Sequence, residues 1–280
     1  MRRIITAAAA TAAAALLLTG CGAGGASDAE VGTDEGGVTK LTVGVSPVPH
    51  GEILEFVRDE LAADAGLDIE IVSYDDYALP NRALVDGELD ANYFQHQPYF
   101  DSEVESQGYE LAHFPGVHIE PFALYSASVT DIADLPDGAK IGINNDPSNQ
   151  GRALDLLAQA GLIELDENVE VVSATVGDVV DNPHGFEFIE ADAASLPRTL
   201  EDVDASVING NYAIEAGLSP TEDGLISEAG ADNPYANFLA VRAGDETNED
   251  LIALNDLLHS DEVAQFIEDT WADGSVVPTA

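Results

Sequence analysis

Residues 140–161 read KIGINNDPSNQGRALDLLAQAG, and the change of period inside this stretch decides the architecture. Lys140 to Ile143 is a short run with β-branched residues, which predicts a strand. Asp146 or Ser148 then offers an N-cap and Pro147 a first-turn residue. A helix is therefore predicted over residues 150–160, with Gly161 placed to end it.

The same alternation extends in both directions. Upstream, residues 41–45 and 69–72 read as strands, and Ile53, Leu54, Val57 and Leu61 recur at helical spacing after Gly51. Pro80 opens a helix through Val85. Downstream, strands are predicted around residues 122–125, 170–172, 187–189, 205–208 and 238–241, with helices near 248–258 and 261–271. Strands alternating with helices of about ten residues predict an α/β architecture with largely parallel sheets. LVDGELDAN (84–92) and LEDVDAS (200–206) echo each other, as two similarly built lobes or chance would produce. Two such lobes would form a ligand cleft at the carboxyl ends of their strands.

Charge sets the surface apart. The 280 residues include 53 acidic and nine basic ones, for a formal net charge of −44. Nucleic acid is disfavoured as a partner, because phosphate binding needs a basic surface. An anionic membrane surface is disfavoured on the same ground. The acids are scattered, which reads as a solvated surface rather than a disordered arm. Such a surface repels itself at low ionic strength, and salt relieves that. Adaptation to high salt is expected, the plainer alternative being an acidic protein without it. Unfolding midpoints should therefore rise from low to molar salt, and a flat response would contradict the expectation.

At the N-terminus, Arg2 and Arg3 precede an apolar run over residues 4–18 that is short for a bilayer span and patterned as a signal peptide. The run ends Leu17-Leu18-Thr19-Gly20-Cys21, and Cys21 is the single cysteine. This resembles a bacterial lipobox, which implies a signal over residues 1–20, lipidation of Cys21 and an extracytoplasmic, membrane-anchored protein. The alternative is an ordinary signal with an incidental cysteine. No internal disulfide can form, so stability rests on the core. Residues 22–39 are rich in Gly, Ala, Ser and acids, which predicts a flexible tether.

Catalytic signatures are missing. The chain contains no G-x-S-x-G elbow, no phosphate-binding G-x-x-x-x-G-K-[ST] loop and no H-E-x-x-H. Its six histidines (His50, His96, His113, His118, His184, His259) lack the close spacing of a zinc site. No catalytic residue, metal or cofactor is expected.

Four segments instead fall where a cleft would lie. In NNDPSNQGR (144–152), the unpaired N–H groups of a helix start suit a small carboxylate, and Arg152 can fork onto one with parallel hydrogen bonds. Arg152 could equally neutralise local acids. NYFQHQPYF (92–100) follows a predicted strand and reads as an aromatic pocket or as a core patch under a loop. NGNY (209–212) and NPYAN (233–237) could be turns, or could aim amides at an amino group.

At these residues the chain resembles the NlpA/MetQ family of methionine-binding lipoproteins. PHGEIL (49–54), LDANYFQH (89–96), VHIEP (117–121), NDPSNQGRAL (145–154), LPRTLEDVDASVINGNYA (196–213), PYAN (234–237) and VVP (276–278) carry the resemblance. It implies an α/β, two-lobed periplasmic-binding-protein-like fold of the second type. One lobe would comprise residues 41–121 with 238–280 and the other residues 122–237, after a lipidated tether over 21–40. It further implies that Arg152, helped by Asn149, holds a ligand carboxylate, and that Asn211, Asn237 and Asn209 take polar ends. Tyr77, Tyr93, Phe94, His96 and His118 would wall a side-chain pocket. The implied cargo is L-methionine or a close amino acid, passed by a monomer to an ABC permease. A short methionine-containing peptide is the alternative cargo. A surface lipoprotein with an adhesive or structural role, and a hydrolase, are the alternatives of other classes. The acidity exceeds what the family leads one to expect.

Overall fold

Two large sheets carry the chain, beside a two-stranded one formed by Glu164–Leu165 and Val179–Asp181. In the first, Thr39–Val45 runs parallel to Leu67–Ser73 on one side and, through Val43 to Val45, to Ala91–His96 on the other. Asn237–Arg242 lies antiparallel between Ala91–His96 and Leu111–Ile119. Val277–Pro278 adds an antiparallel edge to Leu111–Ile119. In the second sheet, Lys140–Asn144 is parallel to both Glu187–Ala191 and Ala205–Ile208. Ala123–Tyr125 and Ile226–Ser227 follow antiparallel. The structure is a computed structural model that describes residues 30–34, 36–230 and 233–279. The predicted signal peptide and Cys21 lie outside the described residues.

Each sheet has its own core. Leu41, Ile53, Leu54, Leu239, Leu254 and Ile267 are completely buried in the first. Leu124, Ile141, Leu154, Leu157 and Val207 fill the second. The result is two lobes, joined where Leu111–Ile119 passes through Glu120 to Ala123–Tyr125 and where Ile226–Ser227 leads back to Asn237–Arg242. Asn237 thus stands in the first sheet. Among the described residues, no helix is long and apolar enough to cross a membrane.

The helices follow their caps. The Asp146 carboxylate accepts from the Asn149 N–H at 3.0 Å and starts helix Pro147–Gln159, and Gly161 follows it in the left-handed region at φ +73°. Asn248 and Ser260 cap Glu249–Leu258 and Asp261–Thr270 in the same way. Pro80–Val85 forms as its proline predicts.

Four expectations need correction. Both sheets are mixed rather than largely parallel, because the strand that enters each lobe from the other, Asn237–Arg242 in the first and Ala123–Tyr125 in the second, runs against the strand–helix units. The predicted strand at 170–172 is a short helical turn, Val171–Ser173. It packs on the helix beside it so closely that a Cβ on Gly151 would come within 1.8 Å of the Val171 carbonyl oxygen. Residues 92–96 are strand rather than a loop after one. The end of the expected tether is docked: Thr33–Asp34 pairs with Thr39 and Lys40, and the Asp90 carboxylate accepts the N–H groups of Gly32 (2.9 Å) and Thr42 (2.8 Å).

Candidate functional site

The cleft between the lobes spans about 330 Å³, part of it open to solvent, and is walled by residues of both. Leu111–Ile119, Ala91–His96 and Asn237–Arg242 bring Glu120, Phe94, His96 and Asn237 to one side. The start of helix Pro147–Gln159 brings Asn149 and Arg152 to the other. Asn209 ends the strand Ala205–Ile208 and starts the helix Gly210–Glu215, which delivers Asn211.

Arg152 is buried and fully oriented. Its Nε donates to Glu228 Oε1 at 2.8 Å, and Nη2 donates to Glu228 Oε2 at 2.6 Å and to the Glu120 carbonyl at 3.0 Å. The guanidinium carbon lies 3.7 Å from the centre of the Phe122 ring and 4.0 Å from that of Tyr235, so the plane is also held by cation–π contact. Burial pushes the Glu228 carboxyl upward, but the charge and hydrogen bonds of Arg152 outweigh it and leave it below the usual range. The expected two-bonded fork onto an incoming carboxylate is therefore already occupied by Glu228. Nη1 has no hydrogen-bond partner among the described residues, and Arg152 lines the cavity.

The asparagines form a chain across the lobes. His96 Nε2 lies 3.1 Å from Asn149 Oδ1, which also accepts from Asn209 Nδ2 at 3.3 Å. Asn144 Nδ2 donates to Asn209 Oδ1 at 2.8 Å. The His96 pKa falls to about 3, first from burial and then from the nearby Arg152 charge. Tyr77 reaches over from the first lobe, its hydroxyl donating to Asn211 Oδ1 at 2.5 Å. Its ring sits 5.8 Å from Phe94, 5.6 Å from Tyr99 and 5.2 Å from Tyr212. Tyr212 donates to the Asp75 carbonyl at 3.1 Å. These bonds join the lobes in a closed arrangement.

Eight of the ten residues expected at the site line this cavity: Tyr77, Phe94, His96, Asn149, Arg152, Asn209, Asn211 and Asn237. Tyr93 and His118 do not. Both are wholly buried and stand outside its lining. Tyr93 Oη is hydrogen-bonded to His118 Nδ1, and His118 Nε2 lies 2.8 Å from Glu120 Oε1. His50 Nε2 lies 3.2 Å from the same oxygen and 3.1 Å from Asn237 Oδ1.

The expectation from histidine spacing also changes here. His50, His118 and Glu120 have ligand atoms within 4.8 Å of one another, a donor set that would suit zinc. In this structure His118 Nε2 is hydrogen-bonded to Glu120 Oε1, whereas His50 Nε2 is hydrogen-bonded to Asn237 Oδ1 and lies 3.2 Å from the same Glu120 oxygen. Burial holds the pKa of His50 down at about 4 and that of His118 at about 3, and pushes the Glu120 carboxyl upward.

The profile of the NlpA lipoprotein family matches residues 41–280. The chain belongs to the NlpA lipoprotein family. It is 41% identical to the methionine-binding lipoprotein MetQ of Bacillus subtilis over 249 residues, 88% of this chain and 90% of that protein. It is 39% identical to the probable D-methionine-binding lipoprotein MetQ of Vibrio cholerae, over 85% of this chain and 87% of that protein. Among solved structures it is similar to a nutrient-binding protein of Burkholderia cenocepacia bound to methionine. The TM-score there is 0.82 and the identity 41%, covering 86% of this chain and 100% of that one. The putative methionine-binding lipoprotein of B. subtilis gives a TM-score of 0.83 at 40% identity, covering 86% and 98%. These neighbours and the two sheets together make this a two-lobed, periplasmic-binding-protein-like fold, as expected of the family.

Sequence reading left Gln95, Tyr99, Glu120, Phe122 and Gly210 off the site, although all five line the cavity. Glu120 stands in the VHIEP segment, and Tyr99 in the aromatic cluster. Glu228, the partner of Arg152, stands in no motif, and one acid among 53 gives no signal.

Proposed function

We propose that this chain is a lipid-anchored receptor, held by Cys21 on the outer face of the cell membrane, that binds methionine and delivers it to an ABC permease as a monomer. The observation that carries the reading is the composition of the cleft. Tyr77, Phe94, Tyr99 and Phe122 offer an aromatic wall, and Arg152 with the asparagines offers a polar one, around one cleft. An aromatic wall suits a thioether through apolar and sulfur–ring contact, and the names of the methionine-binding relatives support the same cargo. In this reading Arg152 Nη1 takes the ligand carboxylate beside Asn149, and Asn209, Asn211 and Asn237 take its remaining polar edges. Tyr93 and His118 act from behind the pocket.

Ligand contacts with both lobes favour the closed arrangement, which is hinge closure. The chain performs no chemical step and needs no cofactor; ATP is hydrolysed by another subunit. Residues 1–20 are removed as the signal, and residues 41–121 with 238–280 and residues 122–237 act as the two lobes.

One observation favours a second cargo. A second space of about 870 Å³, part of it open to solvent, lined by Asp76, Asp146, Asp192 and Tyr212 among others, adjoins the cleft through Tyr77 and Tyr99. It has room for an extended ligand such as a methionine-containing dipeptide. Calorimetric titration of the folded chain with L-methionine and with glycyl-methionine separates the two. Tighter binding of the free amino acid is expected, and tighter binding of the dipeptide would reassign the cargo.

A further inference from the structure

Two of the residues that wall the cleft, Tyr77 and Tyr99, also wall the outer space beside it. The two spaces therefore meet at a layer one residue thick, with the cleft on one side and about 870 Å³ on the other. In the amino-acid reading above, Arg152 and the asparagines hold the polar end of the ligand. Its side chain then runs toward Phe94, Tyr77 and Tyr99, so the layer stands at the far end of that side chain.

Both rings are held in place. Tyr77 lies in the connection between the strand Leu67–Ser73 and the helix Pro80–Val85. Its hydroxyl donates to Asn211 Oδ1 of the other lobe, and its carbonyl accepts from the Tyr99 hydroxyl at 3.1 Å. Tyr99 sits in the first turn of the helix Gln97–Gln107, where its N–H donates to His96 Nδ1 at 3.2 Å. The two rings meet edge to face at 5.6 Å, and Phe94 lies 6.0 Å from Tyr99. Tyr212 packs on Tyr77 from the other lobe at 5.2 Å. Neither ring turns aside without losing a hydrogen bond together with ring contacts. The outer space, by contrast, has small residues in its wall, Ala78, Ala193, Ala194 and Ser195. Room for a bulky group therefore begins immediately past the layer. Asp76, Asp146 and Asp192 restrict that room to groups without negative charge.

We propose that Tyr77 and Tyr99 set the upper length of the ligand side chain, their rings stopping it and shutting the outer space off from it. The inference rests on the amino-acid reading above and adds a limit on the size of the cargo. Opening the layer turns the outer space into a pocket for large groups, without negative charge, carried on the ligand sulfur.

The test is calorimetric titration of the full chain with L-methionine, S-benzyl-L-homocysteine and S-(4-phenylbenzyl)-L-homocysteine. The two analogues replace the methyl on sulfur by a group with one ring and by a group with two. Wild type should prefer methionine over both by about 100-fold or more, since neither group fits without displacing the layer. Tyr99→Ala removes one ring of the layer and leaves the Tyr77–Asn211 bond between the lobes. It should weaken methionine by about tenfold, through lost sulfur–ring contact, and bring both analogues within about threefold of methionine. Tyr99→Phe keeps the ring, so methionine should stay preferred by about 100-fold. The longer analogue decides, because a benzyl group alone fits the hole that the Tyr99 ring leaves. Unfolding midpoints show that each variant is folded, and Tyr99→Val, which leaves a smaller hole, takes the place of an alanine variant that does not fold. Wild type that binds either analogue as tightly as methionine, or an opened variant that still refuses the longer one, would overturn the proposal and leave the receptor reading standing. If wild type binds another amino acid and not methionine, the methionine reading fails, and the same ring-bearing groups on the end of that side chain decide this one. Binding of no amino acid would overturn both.

Discussion

Arg152→Ala is expected to weaken methionine binding by about 2–5 kcal/mol, which is roughly 30-fold or more. The loss has two parts. The ligand carboxylate loses the Nη1 donor, and Glu228, close behind the cleft wall, loses the one cation bonded to it among the described residues. An unpaired carboxylate there repels the incoming one. The double variant Arg152→Ala, Glu228→Gln should therefore recover part of the loss, a coupling that a double-mutant cycle reads directly. Arg152→Lys should fall between, since an ammonium keeps the charge but loses the fork on Glu228 and the planar stack between Phe122 and Tyr235. Calorimetry on the four proteins checks this. Wild-type affinity in the single alanine variant would contradict the assignment of the ligand carboxylate to Arg152.

Acid should destabilise the fold well before most surface carboxylates titrate. Burial lowers the pKa of His50 to about 4 and those of His96 and His118 to about 3. Unfolded, each takes a proton near the ordinary value of about 6.5. The unfolded chain then binds more protons than the native one below that value, so stability falls with pH between about 6.5 and 4. Each histidine contributes at most about 1.4 kcal/mol per pH unit, and the three together cost several kcal/mol across the window. Glu228 and Asp273, whose pKa values lie low in the fold, add to the loss at lower pH as they take protons. Glu120 and Asp146, raised by burial, act in the opposite direction and offset part of it. Relief of surface repulsion also opposes it, so urea midpoints should be read in molar salt, where that repulsion is screened. A steady fall from about pH 7 to 4 is expected, with a shallower fall in His96→Asn. A midpoint that stays flat down to about pH 4.5 would contradict the buried, neutral histidines.

How much of this was legible in the sequence depended on how local each signal was. The helix Pro147–Gln159 could be read because Asp146, Pro147 and Gly161 act within a turn of its ends. The strand Leu111–Ile119 could not, because Pro115 and Gly116 interrupt its pattern and its register shifts against Asn237–Arg242. Residues 170–172 carry a short β-branched run, yet they cover a helix, a tertiary placement that propensity does not encode. At the site, the asparagines and Arg152 were legible as ordered motifs next to strand ends. Tyr93 and His118, expected in the wall, are buried outside the lining, and their hydrogen bond to each other forms only through the pairing of distant strands. His50, His118 and Glu120 meet only through the fold, and Glu228 finds Arg152 across the second crossover. Such pairings have no local signature.

The central claim, a receptor whose cleft holds an amino acid between two lobes, is tested most directly by native mass spectrometry of the purified protein, followed by release and identification of whatever it carries. A mass excess that is released as intact, unmodified methionine, and that returns on titration of the emptied protein, is the predicted result. An empty protein that takes up neither methionine nor any other amino acid or short peptide would contradict it.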